Sequence, residues 1–233
     1  MSVRDELLKE ISKQRESNSK KEKFDGNFLD YVELVKENPE TVKTAHKRLF
    51  EAIDEHGMEK MPDSDPRKKK IFDNENVKIY NYFKDHFFGM EKVLAKLMRF
   101  LKSAAHNGEE CRQVLLLMGP VGAGKSALVE HIKGSLEGKM YHHLKGDTQR
   151  GEPLQLVPRS LRDVFEEKLD VKIQGDISPV ARYKLLNDLD GKYEDFEVVE
   201  TTFSQRARRG IATVPPMDAN SQDVSVLIGS VDI

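Results

Sequence analysis

Phe28, Tyr31, Val32 and Val35 fall at i, i+3, i+4 and i+7, the spacing of one buried face of a helix. Asn38-Pro39 then predicts an N-cap followed by proline in the first turn of a second helix. Val42, Ala45, Leu49, Ala52 and Ile53 would be its buried stripe, with Gly57 as its stop. The two helices are expected to form a small N-terminal helical module over residues 24–60. Residues 1–23, rich in Lys, Glu, Ser and Arg, read as a flexible charged arm. Residues 61–75 are polar with two prolines and read as a linker, so the basic run Arg67–Lys70 is expected to be solvated. A third helix is predicted from Gly89 or Met90, with Val93, Leu94, Leu97, Met98 and Leu101 on its apolar face and Asn107-Gly108 at its end.

The pattern then changes. Gln113–Met118 reads as a buried apolar strand running into Gly119-Pro120-Val121-Gly122-Ala123-Gly124-Lys125-Ser126. Behind it, Ala127, Leu128, Ile132 and Leu136 continue as a helix that Gly138 closes. Strand, G-x-x-x-x-G-K-S and helix in this order are a phosphate cradle. The glycines let backbone N–H groups face inward, Lys125 brings positive charge to the β/γ-phosphates, and the Ser126 hydroxyl is the candidate Mg²⁺ ligand. The helix start adds the positive end of its dipole. A nucleoside triphosphate is the expected ligand.

Beyond this point Met140–Leu144 reads as a strand, with His142-His143 as surface or edge residues rather than a metal site. Residues 146–160 carry two glycines and two prolines and suggest an extended excursion. Helices are predicted near 160–169 and 178–190 and a strand near Phe196–Glu200, with Arg206–Arg209 as an exposed basic turn.

Composition narrows the function classes. The 233 residues include 38 Lys plus Arg against 40 Asp plus Glu, so charge gives no reason to expect nucleic acid or an acidic membrane as partner. Cys111 stands alone, which excludes an internal disulfide and a cysteine-rich zinc site. No apolar run approaches the ~20 residues of a membrane span, and a cytoplasmic protein is expected. No H-R-D-x-x-x-x-N, D-F-G, G-x-S-x-G or guanine-reading N-K-x-D motif is present. Hydrolysis also needs a carboxylate at the end of a second buried strand to hold the metal. Asp232 is the late candidate, but Gly229 and Ser230 interrupt the run before it. The apolar pattern is still in progress at Ile233, so the chain reads as a piece of something longer, truncated before that strand.

Four stretches together resemble one family. They are Phe87-Phe88-Gly89-Met90-Glu91, the phosphate loop with its flanks, Glu152-Pro153-Leu154-Gln155-Leu156-Val157-Pro158, and Asp218 to Asp232. From about Phe28 to the last residue the chain resembles the N-terminal AAA-type ATPase region of the PrkA family of prokaryotic serine protein kinases. The resemblance implies an α/β P-loop NTPase core of AAA type over residues 76–233, with a parallel sheet. It places the partner carboxylate, sensor residues and arginine finger beyond Ile233, and a kinase-like segment further still. It implies ATP with Mg²⁺, assembly of copies through the AAA core, and a protein substrate. By position it nominates Phe88, Gly89 and Met90 as adenine contacts, with ordinary core packing by these residues as the alternative. Some relatives carry a cysteine pair where this chain has Ser178 and Ala181, so no metal or redox role transfers there. The implied function is an ATP-binding module that drives or regulates protein phosphorylation. A nucleotide-gated scaffold and the motor module of an ATP-dependent protease are the rival readings.

Overall fold

The computed structural model describes residues 24–214. In chain order the elements are β1 (Asp25–Asn27), α1 (Phe28–Glu37), α2 (Ala45–Asp54), β2 (Met58–Lys60), α3 (Pro66–Lys70), β3 (Lys78–Tyr80) and α4 (Glu91–Ala105). They continue as α5 (Lys125–Gly134), β4 (Met140–Leu144), α6 (Arg162–Leu169), α7 (Pro179–Asn187) and β5 (Glu197–Thr202). The chain divides into two units. Residues 24–42 and 140–202 pack as one, and residues 43–139 and 203–214 as the other.

In the first unit β1, β5 and β4 form an antiparallel sheet in that order, with Tyr141 opposite Thr201 and Leu144 opposite Val198. A capping box starts α1. The Asn27 side chain accepts from the Asp30 amide at 3.0 Å, and the Asp30 carboxylate accepts from the Asn27 amide at 2.8 Å. Phe28, Tyr31 and Val35 are buried against Leu144, Leu154, Val157, Phe196 and Val198. Each such side chain contributes about 1.5–3 kcal/mol by area. A ten-residue helix is too short to stand alone in water, so this packing is what holds α1.

The excursion at 146–160 is more than extended chain. Its Leu154, Leu156 and Val157 enter the core, and the buried Asp147 carboxylate organises the turn. That carboxylate accepts from the amides of Gln149 (3.1 Å) and Gly151 (2.7 Å) and from the Ser178 hydroxyl (2.7 Å). Ser178 in turn caps α7 by accepting from the Ala181 amide at 3.0 Å.

In the second unit Leu94, Leu97, Met98 and Leu101 of α4 pack with Ile53, Phe83, Phe87 and Leu128. The antiparallel hairpin β2–β3 lies beside a smaller cluster of Met61, Phe72 and Val77.

Several expectations need correction. Asn38-Pro39 opens only a 3₁₀ turn (Pro39–Thr41), and α2 starts later, where Thr44 Oγ1 accepts from the Lys47 amide at 3.2 Å. The helices α1 and α2 do not form one module, because their apolar faces bury in different clusters and fall in different units. The polar stretch after Lys60 is folded rather than a bare linker. Asp65 caps α3, Lys68 is buried and paired with Asp63, and Arg67 pairs with Asp65 and Glu91.

The largest departure concerns Gln113–Met118. Among the described residues both sheets are antiparallel and none contains this segment. It has no regular secondary structure, with Val114 92%, Leu116 75% and Met118 85% exposed. A buried strand needs neighbours for its backbone N–H and C=O groups.

Candidate functional site

Two residues set the shape of the loop ahead of α5. Gly122 (φ +81°) and Gly124 (φ +77°) are both in the left-handed region, and a Cβ on either would meet nothing within 4 Å. Any other residue would be strained there, while glycine leaves open space on the loop's face. Gly124 is also the N-cap of α5, and no side chain caps that helix start. Its first-turn amides therefore have no intrahelical acceptor and carry the positive end of the dipole. Such an arrangement receives an anion.

Lys125 does not extend into solvent. Its Nζ donates to the carbonyls of Gly119 (2.9 Å) and Pro120 (2.7 Å), closing the loop on itself. The Ala123 amide donates to the Pro120 carbonyl at 3.3 Å. Ser126, the candidate metal ligand, is exposed in the first turn of α5, and Val121 is exposed at the loop's tip. The residues Gly119 to Ser126 thus form one continuous loop and helix start. Buried Leu128 anchors it, and Leu117 is half-buried against the same core.

The far end of α5 is held by groups that no motif announces. Tyr82 and His131 bond to each other's backbone, as taken up below, and the Phe87 ring lies 5.5 Å from the His131 ring. Glu130 is bonded by Lys133 at 2.5 Å and by Gln205 Nε2 at 2.7 Å, and these partners hold its carboxyl below its ordinary range. Glu137 accepts from the Gln205 amide at 2.7 Å.

The three nominated adenine contacts separate in character. Phe88 is 70% exposed on the rim of a cavity of about 310 Å³, so it is not a core residue, whereas the adjacent Phe87 is buried. Gly89 (φ +77°) faces open space, and half-buried Met90 packs on the core at the start of α4. Glu91, the next residue, lines the same cavity and is buried. As an acid in a helix's first turn it has a sequence signal, but nothing in the sequence announces its burial.

His142 and His143 lie on the edge strand β4 but are not surface groups. The His142 ring packs on Phe24 and Tyr31, and His143 is buried with Nδ1 2.9 Å from the Leu144 carbonyl. No group of three or more His, Cys, Asp or Glu residues suited to a metal occurs among the described residues. In the basic turn, Ser204 and Arg209 exchange two backbone bonds of 2.9 Å, leaving Arg206 and Arg208 exposed. The stretch Asp218 to Asp232, with its candidate carboxylate, lies outside the described residues.

Comparison with known families places the whole chain rather than the loop alone. The model of the PrkA AAA domain matches residues 26–233. The chain belongs to the PrkA AAA family. An AAA domain is an α/β P-loop NTPase fold, and the loop at 119–126 lies inside the matched region. The chain is 37% identical to the "ATP-dependent protease PrkA" of Bacillus subtilis, over 97% of this chain and 35% of that protein. It is 30% identical to the "Serine/threonine kinase YeaG" of Escherichia coli K12, over 95% of this chain and 35% of that protein. A weaker similarity links it to a "Lon protease" of Rickettsia conorii, 31% identical over 54% of this chain and 16% of that protein. The chain therefore spans about a third of the length of the PrkA-family relatives it matches. No solved structure matches it. Among the described residues no helix is long and apolar enough to cross a membrane.

Proposed function

We propose that this chain is an ATP-binding module that holds Mg·ATP on the loop Gly119–Ser126 and, in the full-length protein, drives or regulates the phosphorylation of proteins on serine. The observation that carries the ATP reading is the pair of left-handed glycines in front of an uncapped helix start, with Lys125 poised beside them. These residues fit the ligand. The first-turn amides and the Lys125 ammonium would bind the phosphates, and Ser126 would contribute a hydroxyl to the metal. The metal would supply charge neutralisation between the β- and γ-phosphates. On this reading Lys125 exchanges the carbonyls of Gly119 and Pro120 for phosphate oxygens when nucleotide arrives. Gln113–Met118 then belongs to the parallel sheet of a complete AAA core, and copies assemble through that core in the cytoplasm. Preference for ATP over GTP follows from family membership alone.

Family membership and the name of the Escherichia coli relative support the kinase reading. The name of the Bacillus subtilis relative supports a second one, the motor module of an ATP-dependent protease. Calorimetric titration with Mg·ATP and Mg·GTP, on this chain and on Lys125→Ala, tests the binding step. Equal affinities for ATP in the two proteins would remove the loop from the site. Incubating the full-length protein with ATP and an unstructured protein substrate separates the activities, because phosphoserine marks a kinase and new peptide ends mark a protease.

A further inference from the structure

Three arginines from three elements of the first unit converge on one carboxylate. Arg159, in a 3₁₀ turn (Arg159–Leu161), donates from Nε and Nη2 to the two oxygens of Asp176. Arg162, the first residue of α6, reaches the same carboxylate with Nη2 at 3.3 Å. Arg182 in α7 is the third, close enough for its charge to act on Asp176. They hold the Asp176 carboxyl below its ordinary range, the Arg159 hydrogen bond first and the charges of all three behind it. Their roles differ. Only 15% of the Arg162 side chain is exposed, and it also donates to the carbonyls of Val157 (3.2 Å) and Gly175 (2.9 Å), so it alone closes the turn. The Arg159 side chain is 79% exposed and Arg182 is exposed, so neither fills the core.

Charge and shape define what fits. Three guanidinium groups against one carboxylate leave two positive charges in excess. A phosphate monoester carries about −1.5 to −2 at pH 7 and accepts paired N–H bonds from guanidinium forks. Arg159 and Arg182 can turn to it while Arg162 keeps its bonds to Val157 and Gly175. Beside the cluster, α7 is apolar on its outer face as well as its inner one. Ala181 is buried and Leu185 packs on the core, yet Val180 (44%), Tyr183 (67%) and Leu186 (61%) are exposed. Spaced at i, i+3 and i+6, they form one broad stripe on the helix that carries Arg182. A free phosphate ion leaves that stripe in water, whereas a protein segment covers it. We propose that Arg159, Arg162 and Arg182 bind a phosphorylated serine or threonine on a partner protein, whose neighbouring apolar residues cover Val180, Tyr183 and Leu186. Recognition of a phosphorylated segment by an arginine cluster is a recurring mode of peptide binding. It needs no nucleotide on Gly119–Ser126, so its failure leaves the ATP reading untouched.

The probe is an immobilised degenerate peptide library with one fixed central phosphoserine, beside the same library without the phosphate. The 233-residue chain should be retained by the first and not the second, and should select apolar residues next to the phosphoserine. A selected peptide is then titrated by fluorescence anisotropy in the absence of nucleotide. Arg159→Gln and Arg182→Gln should each weaken it roughly ten- to a hundredfold, the range for losing a hydrogen bond to a charged group. Their melting temperatures should match the parent's, because both side chains are exposed. Tyr183→Ala should weaken the phosphopeptide and leave competition by inorganic phosphate unchanged. Equal retention by the two libraries, no retention by either, or unchanged phosphopeptide affinity in both arginine variants overturns the proposal. Inorganic phosphate binding as tightly as the phosphopeptide also overturns it, since the site would then take an ion and no protein.

Discussion

Tyr82 and His131 are tied by two reciprocal bonds. The Tyr82 hydroxyl donates to the His131 carbonyl at 2.6 Å, and His131 Nε2 lies 2.9 Å from the Tyr82 carbonyl. The His131 carbonyl is one of the last four of α5, which have no intrahelical donor. The phenol therefore closes the helix that the loop Gly119–Ser126 opens. Tyr82→Phe should cost about 0.5–1.5 kcal/mol, the net worth of one neutral hydrogen bond. For a chain of this size that is a fall in Tm of about 2–4 °C per kcal/mol, read by a thermal melt. An unchanged Tm would mean the bond is replaced by water at no cost.

Lys125→Ala should weaken ATP binding roughly 10- to 150-fold, since a charged hydrogen bond is worth about 1.5–3 kcal/mol. Its folding cost should stay within about 0.5 kcal/mol, because the lost contacts to Gly119 and Pro120 lie at the surface. Calorimetry and a urea titration measure the two quantities separately. A large loss of both would mean that the lysine serves the loop's structure rather than its ligand.

Two glycine variants separate backbone strain from crowding. Gly124 has φ +77° and room for a Cβ, so Gly124→Ala should cost only the left-handed strain of about 1–2 kcal/mol. At Gly210 (φ +68°) an added Cβ would lie 2.3 and 2.4 Å from atoms of the buried Phe203 ring. Overpacking adds about 1–3 kcal/mol to the same strain, so Gly210→Ala should be the more damaging. Urea midpoints in the reverse order would refute this account of the turn at Ser204–Gly210.

Burial pushes the His143 imidazole below its ordinary 6.5, and the hydrogen bond to the Leu144 carbonyl opposes that shift only in part. Above about pH 6.5 the ring is neutral in both folded and unfolded chains, and its contribution to stability is fully present. As pH falls below this, the unfolded chain takes up a proton that the folded one refuses, and stability is lost. The drop in Tm between about pH 7.5 and about pH 5.5 should therefore be smaller in His143→Gln than in the parent. Equal drops would show that the ring gains solvent or a partner when it is protonated.

Local chemistry was legible in the sequence and pairing was not. The stripe Phe28, Tyr31, Val35 and the run from Leu94 to Leu101 are helix faces because period and burial coincide there. The glycine turn and helix start at Gly119–Ser126 were readable because they depend on a few consecutive residues. The strands at Met140–Leu144 and Glu197–Thr202 were also visible, but not that they would join each other and β1 in antiparallel order. A strand's partner depends on residues far away in the chain. The supports of the site were hidden for the same reason. Tyr82 and His131 are 49 positions apart, and Arg67 and Glu91 are 24 apart. The basic run at Arg67–Lys70 looked solvated because its acidic partners lie outside it.

The run Val114-Leu115-Leu116-Leu117-Met118, exposed except at the half-buried Leu117, has a colloidal consequence. It holds five apolar residues with no charge, proline or glycine. It belongs to no helix or strand, and no strand among the described residues pairs with it. Such a seam recruits any strand that drifts alongside, including its own copy on another molecule. The chain on its own should therefore scatter light increasingly with concentration and on warming. A single gatekeeper charge at the outward-facing Leu116 should suppress this, so handling of the protein would be governed by one seam rather than by its overall charge.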